Sequence, residues 1–355
     1  GTATLSQTGA GKFYLTAPGA ILDGSPLQLV LSQPIDLSPN TFIPVGANVL
    51  VSGSNVGNAS KIFNINGTLD MGTNTITNSS GGLIILNGIY RTAHVGGFSG
   101  SSSSIPSGNI TLNTGSTIEL YAPGNQSLNA RIDFRNLVFS GSGIKIPNGP
   151  FNPNGTITIK DDAILDCTGV TNGINVGDDN TNLTMIGNSR LIVSTFGPNP
   201  KMGGIYNLTG GVIEFRGSGG TSQTIRNQTY QNIEVTGTNV NNSDGNIILS
   251  NSGTFTVKNG GVFSINDNTI AGPIGTQTII VESGGTFKCG NTKGFHGFAF
   301  TTVPKFNASI NADIENIILQ PNSTVEYSRS QPPLSSGDQP ITTANGLIYQ
   351  NLILS

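Results

Sequence analysis

Six stretches of the sequence share one spacing of apolar residues. Ile110 to Leu120, Ile157 to Cys167, Leu183 to Val193, Phe255 to Ile265, Ile279 to Cys289 and Ile317 to Tyr327 each place apolar side chains at offsets 0, 2, 8 and 10. A spacing of two keeps side chains on one face of a β-strand. Turn-formers such as Asn259-Gly260, Ser283-Gly284 and Asp161-Asp162 stand between the two apolar pairs. Each stretch therefore predicts a strand, a tight corner and a second strand, with both inner faces turned to one core. Self-similarity of this kind marks a solenoid. The starts at 110, 157, 183, 255 and 279 lie close to multiples of about 24 residues, so we expect a coil of that length and on the order of a dozen coils. Weaker strands around Ile132, Tyr206 and Ile233 fill the gaps, and Leu83 to Leu86, Ile62 to Ile65, Val49 to Val51 and Leu29 to Leu31 extend the series upstream. The expected fold is all-β, a parallel β-helix. Residues 1–60 form less regular coils or a cap, and residues 61–355 form the repeats, cut within a repeat at the C-terminal side.

Composition supports that class and excludes others. Gly, Asn, Ser and Thr interrupt every window that could carry a helical apolar stripe. Only 10% of residues are charged and the net charge is −3, so no basic field exists to hold nucleic acid or an anionic membrane. No apolar run approaches the roughly 18 residues of a membrane helix. The segment GTATLSQTGAGKF lacks the basic and apolar regions of an export signal. A chain that starts at Gly1 and stops at Ser355 inside a repeat is expected to be a processed product or a piece of something longer, with any signal or anchor elsewhere.

Two longer echoes lie over the coil repeat. STIELY (116–121) leads to RNLVF, GGVIEF (210–215) to YQNIEV, and STVEYS (323–328) to YQNLIL. Glu119, Glu214 and Glu326 share one place in this pattern, and Asn136, Asn232 and Asn351 share another. The second echo pairs Tyr90-Arg91 through Phe98 with Phe287-Lys288 through Phe295. Cys167 and Cys289 both stand at offset 10 of the template several coils apart, too far for the roughly 4.4 to 6.8 Å between Cα atoms that a disulfide permits, so they are expected to be two buried thiols.

Few residues offer chemistry. His94 and His296 are the only histidines and lie many coils apart. Asp161-Asp162 fills a corner, where Asp hydrogen-bonds its own backbone. Asp178-Asp179, in NGINVGDDN (172–180), looks like the Gly-Asp-Asp segment of polygalacturonase-type β-helix glycosidases, in which paired carboxylates protonate the leaving oxygen and activate water. The other segments of that family have no match at suitable spacing. Phosphate loops and zinc pairs of the Cys-x-x-Cys or His-Glu-x-x-His kind are absent. Thr-x-Thr pairs such as Thr156/Thr158 and Thr254/Thr256 raise the alternative of an ice-binding hydroxyl face, although an outward Thr is also a good strand residue. The tyrosine pairs Tyr327/Tyr349 and Tyr206/Tyr230 are candidates for a carbohydrate platform. We expect no catalytic, cofactor-binding or metal-binding residues.

The phrases GTLDMGTNTIT (67–77), GTFTVKNGGVFSIND (253–267), ESGGTFKCGNTKGF (282–295) and STVEYSRSQ followed by ITTANGLIYQNLILS (323–355) resemble the repeat regions of very large cell-surface adhesin and filament proteins of Bacteroidota, exported by the type IX system. The resemblance implies a right-handed parallel β-helix outside the cell, without catalytic residues and without cofactors. The expected function is a structural or adhesive solenoid of the cell surface. Its expected partners are neighbouring repeats or like subunits stacked end to end, and surface polysaccharide or other cells, with no nucleic acid and no membrane insertion. The alternatives are a carbohydrate-active β-helix enzyme, hydrolase or lyase, and an ice-binding protein.

Overall fold

Short apolar alternations closed by Gly, Asn or Ser cannot bury a face alone, and stacking them in parallel buries one continuous core. The computed structural model describes residues 13–14, 21–22, 28–37, 39–53, 55–77, 81–106, 109–131, 133–151, 153–170, 181–194, 197–199, 202–217, 222–242, 244–273, 276–291, 294–296, 308–311, 316–328, 341 and 347–355. Among them the regular elements are strands, and no helix is long and apolar enough to cross a membrane. The strands form parallel sheets stacked as a β-solenoid of about 10 turns, with successive turns about 22 residues apart. The chain divides into two compact units. One comprises Gly1–Gly169, Asn175–Thr184 and Gly203–Ile205, and the other Val170–Ile174, Met185–Met202 and Tyr206–Ser355.

The first unit has a three-sided coil. Gln28–Leu31, Ile35–Asp36 and Thr41–Ile43 lie on three different sheets, and Asn48–Val51, Val56–Gly57 and Ile62–Ile65 return to the same three in the same order. Leu29 faces Val49, Val49 faces Leu69, Leu69 faces Tyr90, Tyr90 faces Ile118, and Ile118 faces Leu137, so one inward position becomes a column of buried apolar side chains. In the second unit the equivalent column runs Leu191, Ile213, Ile233, Phe255, Ile279. A second sheet there carries Phe263, Phe287 and Val325 inward. Each fully buried side chain of this size stabilises by roughly 1.5–3 kcal/mol, so these columns hold the fold.

The corners set the chain's taste for small residues. The position just before the second strand of a corner is Gly67, Gly88, Ser116, Ala163, Ser189, Gly261, Gly285 or Ser323. A Cβ at Gly88 would stand 2.0 Å from the Gly67 carbonyl oxygen, and one at Gly261 would stand 2.4 Å from that of Val235. Stacked backbones pass so closely here that side chains beyond a hydroxymethyl are excluded.

The six template copies are strand, corner and strand as the spacing predicts, and most of their apolar residues are buried. Ile110, Ile317 and Leu319 are the exceptions, each only half-buried. Among the described residues, Asn109–Leu112 and Asn316–Leu319 are each the last strand of their sheet and have a partner on one side. The turn length differs from the expected 24 residues for a related reason. The same corner motif is used at different corners of the coil, so distances between copies mix whole turns with fractions of a turn. Ile110 lies on the sheet of Leu83–Leu86, Ile157 on that of Asn136–Phe139, and Phe255 on that of Thr278–Val281.

Candidate functional site

Charged residues in an outward column stand about 4.8 Å from their neighbours in the coils above and below, close enough to pair. Asp70, Arg91 and Glu119 are direct partners on adjacent strands. Arg91 donates from Nη1 to Asp70 at 2.9 Å and from Nε to Glu119 at 2.7 Å, and its guanidinium lies 4.8 Å from the centre of the Tyr121 ring. Tyr121 donates to the other Asp70 oxygen at 2.6 Å, Ser140 donates to Glu119 at 2.7 Å, and Lys160 approaches Glu119 at 3.2 Å. Burial pushes the Glu119 carboxyl up, but the hydrogen bonds from Ser140 and Arg91 and the charges of Arg91 and Lys160 outweigh it and hold the carboxyl below its ordinary range.

The second unit builds the same device from the echoed residue. Glu214 accepts from Arg190 at 2.8 Å, Arg216 at 2.5 Å and Thr236 at 3.0 Å. Arg190 also reaches Glu234 at 2.6 Å, and Lys258 joins Glu234 to Glu282, the latter at 2.6 Å. The Glu214 carboxyl is likewise held low, its burial outweighed by the bonds from Arg216 and Thr236. Glu326, the third copy, pairs with Lys288 at 3.0 Å.

The two echoes are thus parts of one module. Arg91 and Lys288 are equivalent in one, Glu119 and Glu326 in the other, and each cation meets its own glutamate across adjacent coils. The flanking rings repeat too. Tyr90 and Phe98 stand edge-to-face at 5.0 Å, and Phe287 and Phe295 at 5.1 Å. Gly97 and Gly294 both have positive φ, and their N–H groups close the same turn on His94 and Asn291. The echoed asparagines share a role as well. Asn136, Asn232 and Asn351 donate their side-chain amides to the carbonyls of Ser116, Gly211 and Ser323, which are equivalent corner residues one coil earlier.

The remaining candidates are placed as follows. Asp178 and Asp179 lie outside the described residues. Asp161 sits exposed in a corner with φ 60°, the left-handed conformation that Asp tolerates in turns. His94 accepts from the Gly96 N–H at 3.1 Å within its own turn, and His296 is buried beside Ile310. Cys167 and Cys289 are both buried and are not bridged to each other, and burial pushes the Cys167 thiol well up. The tyrosine pairs exist but do not form an open platform. Tyr206 and Tyr230 are buried edge-to-face at 5.8 Å, and Tyr327 is buried with its hydroxyl 2.7 Å from that of Tyr349. Among the described residues no cluster of three His, Cys, Asp or Glu could hold a metal ion.

Sequence reasoning missed Lys145, a fully buried lysine on the strand Ile144–Pro147. Its ammonium donates to the carbonyls of Ala122, Ser142 and Gly124 at 2.7, 3.2 and 3.3 Å, and burial brings its pKa down to about 8. It also missed a polar groove of about 270 Å³ in the second unit. Asn241, Ser264 and Lys288, outward and in register on three successive coils, line it with Asn239, Asn266 and Thr238, over a floor that includes Val240 and Val262. Such a surface offers hydroxyl and amide hydrogen bonds to a ligand rich in the same groups. No family model, no curated protein and no solved structure matches the chain.

Proposed function

We propose that this chain is a non-catalytic structural and adhesive β-solenoid of an extracellular surface, in which coil-to-coil ladders keep the stack intact and the outward polar face makes contact. One observation carries the reading: each of the three echoed glutamates is engaged by a cation of the neighbouring coil, Glu119 by Arg91, Glu214 by Arg190 and Glu326 by Lys288. Asp70, Arg91 and Glu119 in one unit and Arg190, Glu214 and Glu234 in the other form closed ionic columns. A carboxylate held ionised by cations on both sides is a poor general acid, because acid catalysis needs a raised pKa.

The ligand class that fits the groove at Asn241, Ser264 and Lys288 is surface polysaccharide, whose hydroxyls match the amides and hydroxyls along it. The test is incubation of the purified chain with a panel of neutral and acidic polysaccharides. Retention on at least one of them, with no release of reducing ends or unsaturated products, is the expected result. Product release overturns the reading, and so does the absence of retention on every polymer and on whole cells.

A further inference from the structure

Lys288 is the equivalent of Arg91, but its column is one carboxylate short. Arg91 stands between two acids, Asp70 on the strand of the preceding coil at 2.9 Å and Glu119 on that of the following coil at 2.7 Å. Lys288 has Glu326 on the following coil at 3.0 Å, and on the preceding coil its strand partner is Ser264. The exchange lies within a turn that the two units share. TLDMGTNTI (68–76) and VFSINDNTI (262–270) align without a gap, with Asp70 opposite Ser264. Gly72 and Asn266 have φ of 53° and 54°, and the N–H groups of Asn74 and Asn268 close the turn on the carbonyls of Met71 and Ile265. Asp70 accepts from the Gly72 N–H at 3.0 Å, and Ser264 donates to the Asn266 side chain at 3.1 Å. Tyr121, whose hydroxyl also donates to Asp70, has Ser328 at its place in the echo.

The shorter side chain leaves the polar groove of about 270 Å³ on the Ser264 side of Lys288. Among the described residues that line it, Lys288 is the one charged group. Its ammonium has three donors, and Glu326 engages it from the opposite coil. Thr238, Asn239, Asn241 and Asn266 surround it with hydroxyls and amides that match those of a sugar. We infer that the groove binds a carboxylate-bearing sugar, a uronate unit of an acidic polysaccharide, whose carboxylate meets Lys288 as Asp70 meets Arg91. A charge-assisted hydrogen bond of this kind is about twice as strong as a neutral one, so the carboxylate decides which polymers are held. The inference rests on the adhesive reading above and narrows its ligand class.

The experiment is surface plasmon resonance of the 355-residue chain on immobilised polygalacturonate, its fully methyl-esterified form, dextran sulfate and poly-glutamate. Lys288→Gln removes the cation. Ser264→Asp supplies the carboxylate from within the chain, as the other unit does, and keeps the test decisive if the loss of Lys288 disturbs folding. The expected result is binding to polygalacturonate, weaker by about tenfold or more for the ester and for either variant, while circular dichroism stays that of the parent. Equal binding to the acid and its ester overturns the inference, as does binding that Ser264→Asp leaves unchanged. Equal or tighter binding to dextran sulfate overturns the choice of a carboxylate, and equal or tighter binding to poly-glutamate overturns the choice of a sugar. Binding to none of the four overturns the inference alone, because the adhesive reading falls only when retention also fails on every other polymer and on whole cells.

Discussion

Lys288 meets Glu326 at 3.0 Å across one coil step, in the register that joins Arg91 to Glu119 at 2.7 Å in the other unit. The two pairs are built from different cations on the same frame of aromatic contact, glycine turn and glutamate strand. The repeat preserves the ion pair rather than the residue.

Arg91 holds two carboxylates that are largely buried, so its loss leaves both uncompensated. Arg91→Met is expected to cost about 1–2 kcal/mol, discounted for the partial exposure of the guanidinium. In a double-mutant cycle with Glu119→Gln, denaturant unfolding is expected to show a coupling of at least about 0.5 kcal/mol. Additive effects would separate the two residues energetically.

The pH dependence on the acid side has a definite sign. Glu119 and Glu214 have folded-state pKa values below their ordinary 4.5, so they contribute stability that is present above that pH and is lost as pH falls below it. Melting temperature measured from pH 7 downward should hold until about 4.5 and then drop. The drop should be smaller in the doubly substituted Glu119→Gln, Glu214→Gln protein.

Lys145 has the opposite titration range. Its folded pKa of about 8 lies below the ordinary 10.5, so the unfolded chain binds more protons between those values and this residue's contribution to stability rises with pH across that interval. The difference in unfolding free energy between parent and Lys145→Met, measured at pH 7.5 and pH 9.5, should shift in favour of the parent at the higher pH. A pH-independent difference would show that the three carbonyls offset the burial cost entirely.

Two glycines separate packing from chance. A Cβ at Gly88 meets the Gly67 oxygen at 2.0 Å, whereas one at Gly124 meets nothing within 4 Å. Gly88→Ala is expected to destabilise by about 2 kcal/mol or more and Gly124→Ala by less than about 0.5 kcal/mol, both read by chemical denaturation.

The fold class was legible because period-two alternation and turn residues are local signals, and the core at Ile157, Ile159, Leu165 and Cys167 follows from them directly. Turn length was harder, because a corner motif does not say which corner it turns. Lys145 was illegible because a lysine beside a strand's apolar residues looks outward. Only the loop that brings Ala122, Gly124 and Ser142 around it supplies the acceptors. Glu119, Glu214 and Glu326 were visible as an echo, and their partners were not. Arg91 and Lys288 belong to a second echo, while Arg190 lies outside both, and contacts across coils join residues some 20 to 40 positions apart.

The most direct test replaces the three echoed glutamates together, Glu119→Gln, Glu214→Gln and Glu326→Gln, and measures melting temperature alongside polysaccharide retention. A structural role predicts a melting temperature lower by several degrees with retention unchanged below the transition. An unchanged melting temperature with retention or turnover abolished would contradict it, because the glutamates would then act on a ligand rather than on the neighbouring coil.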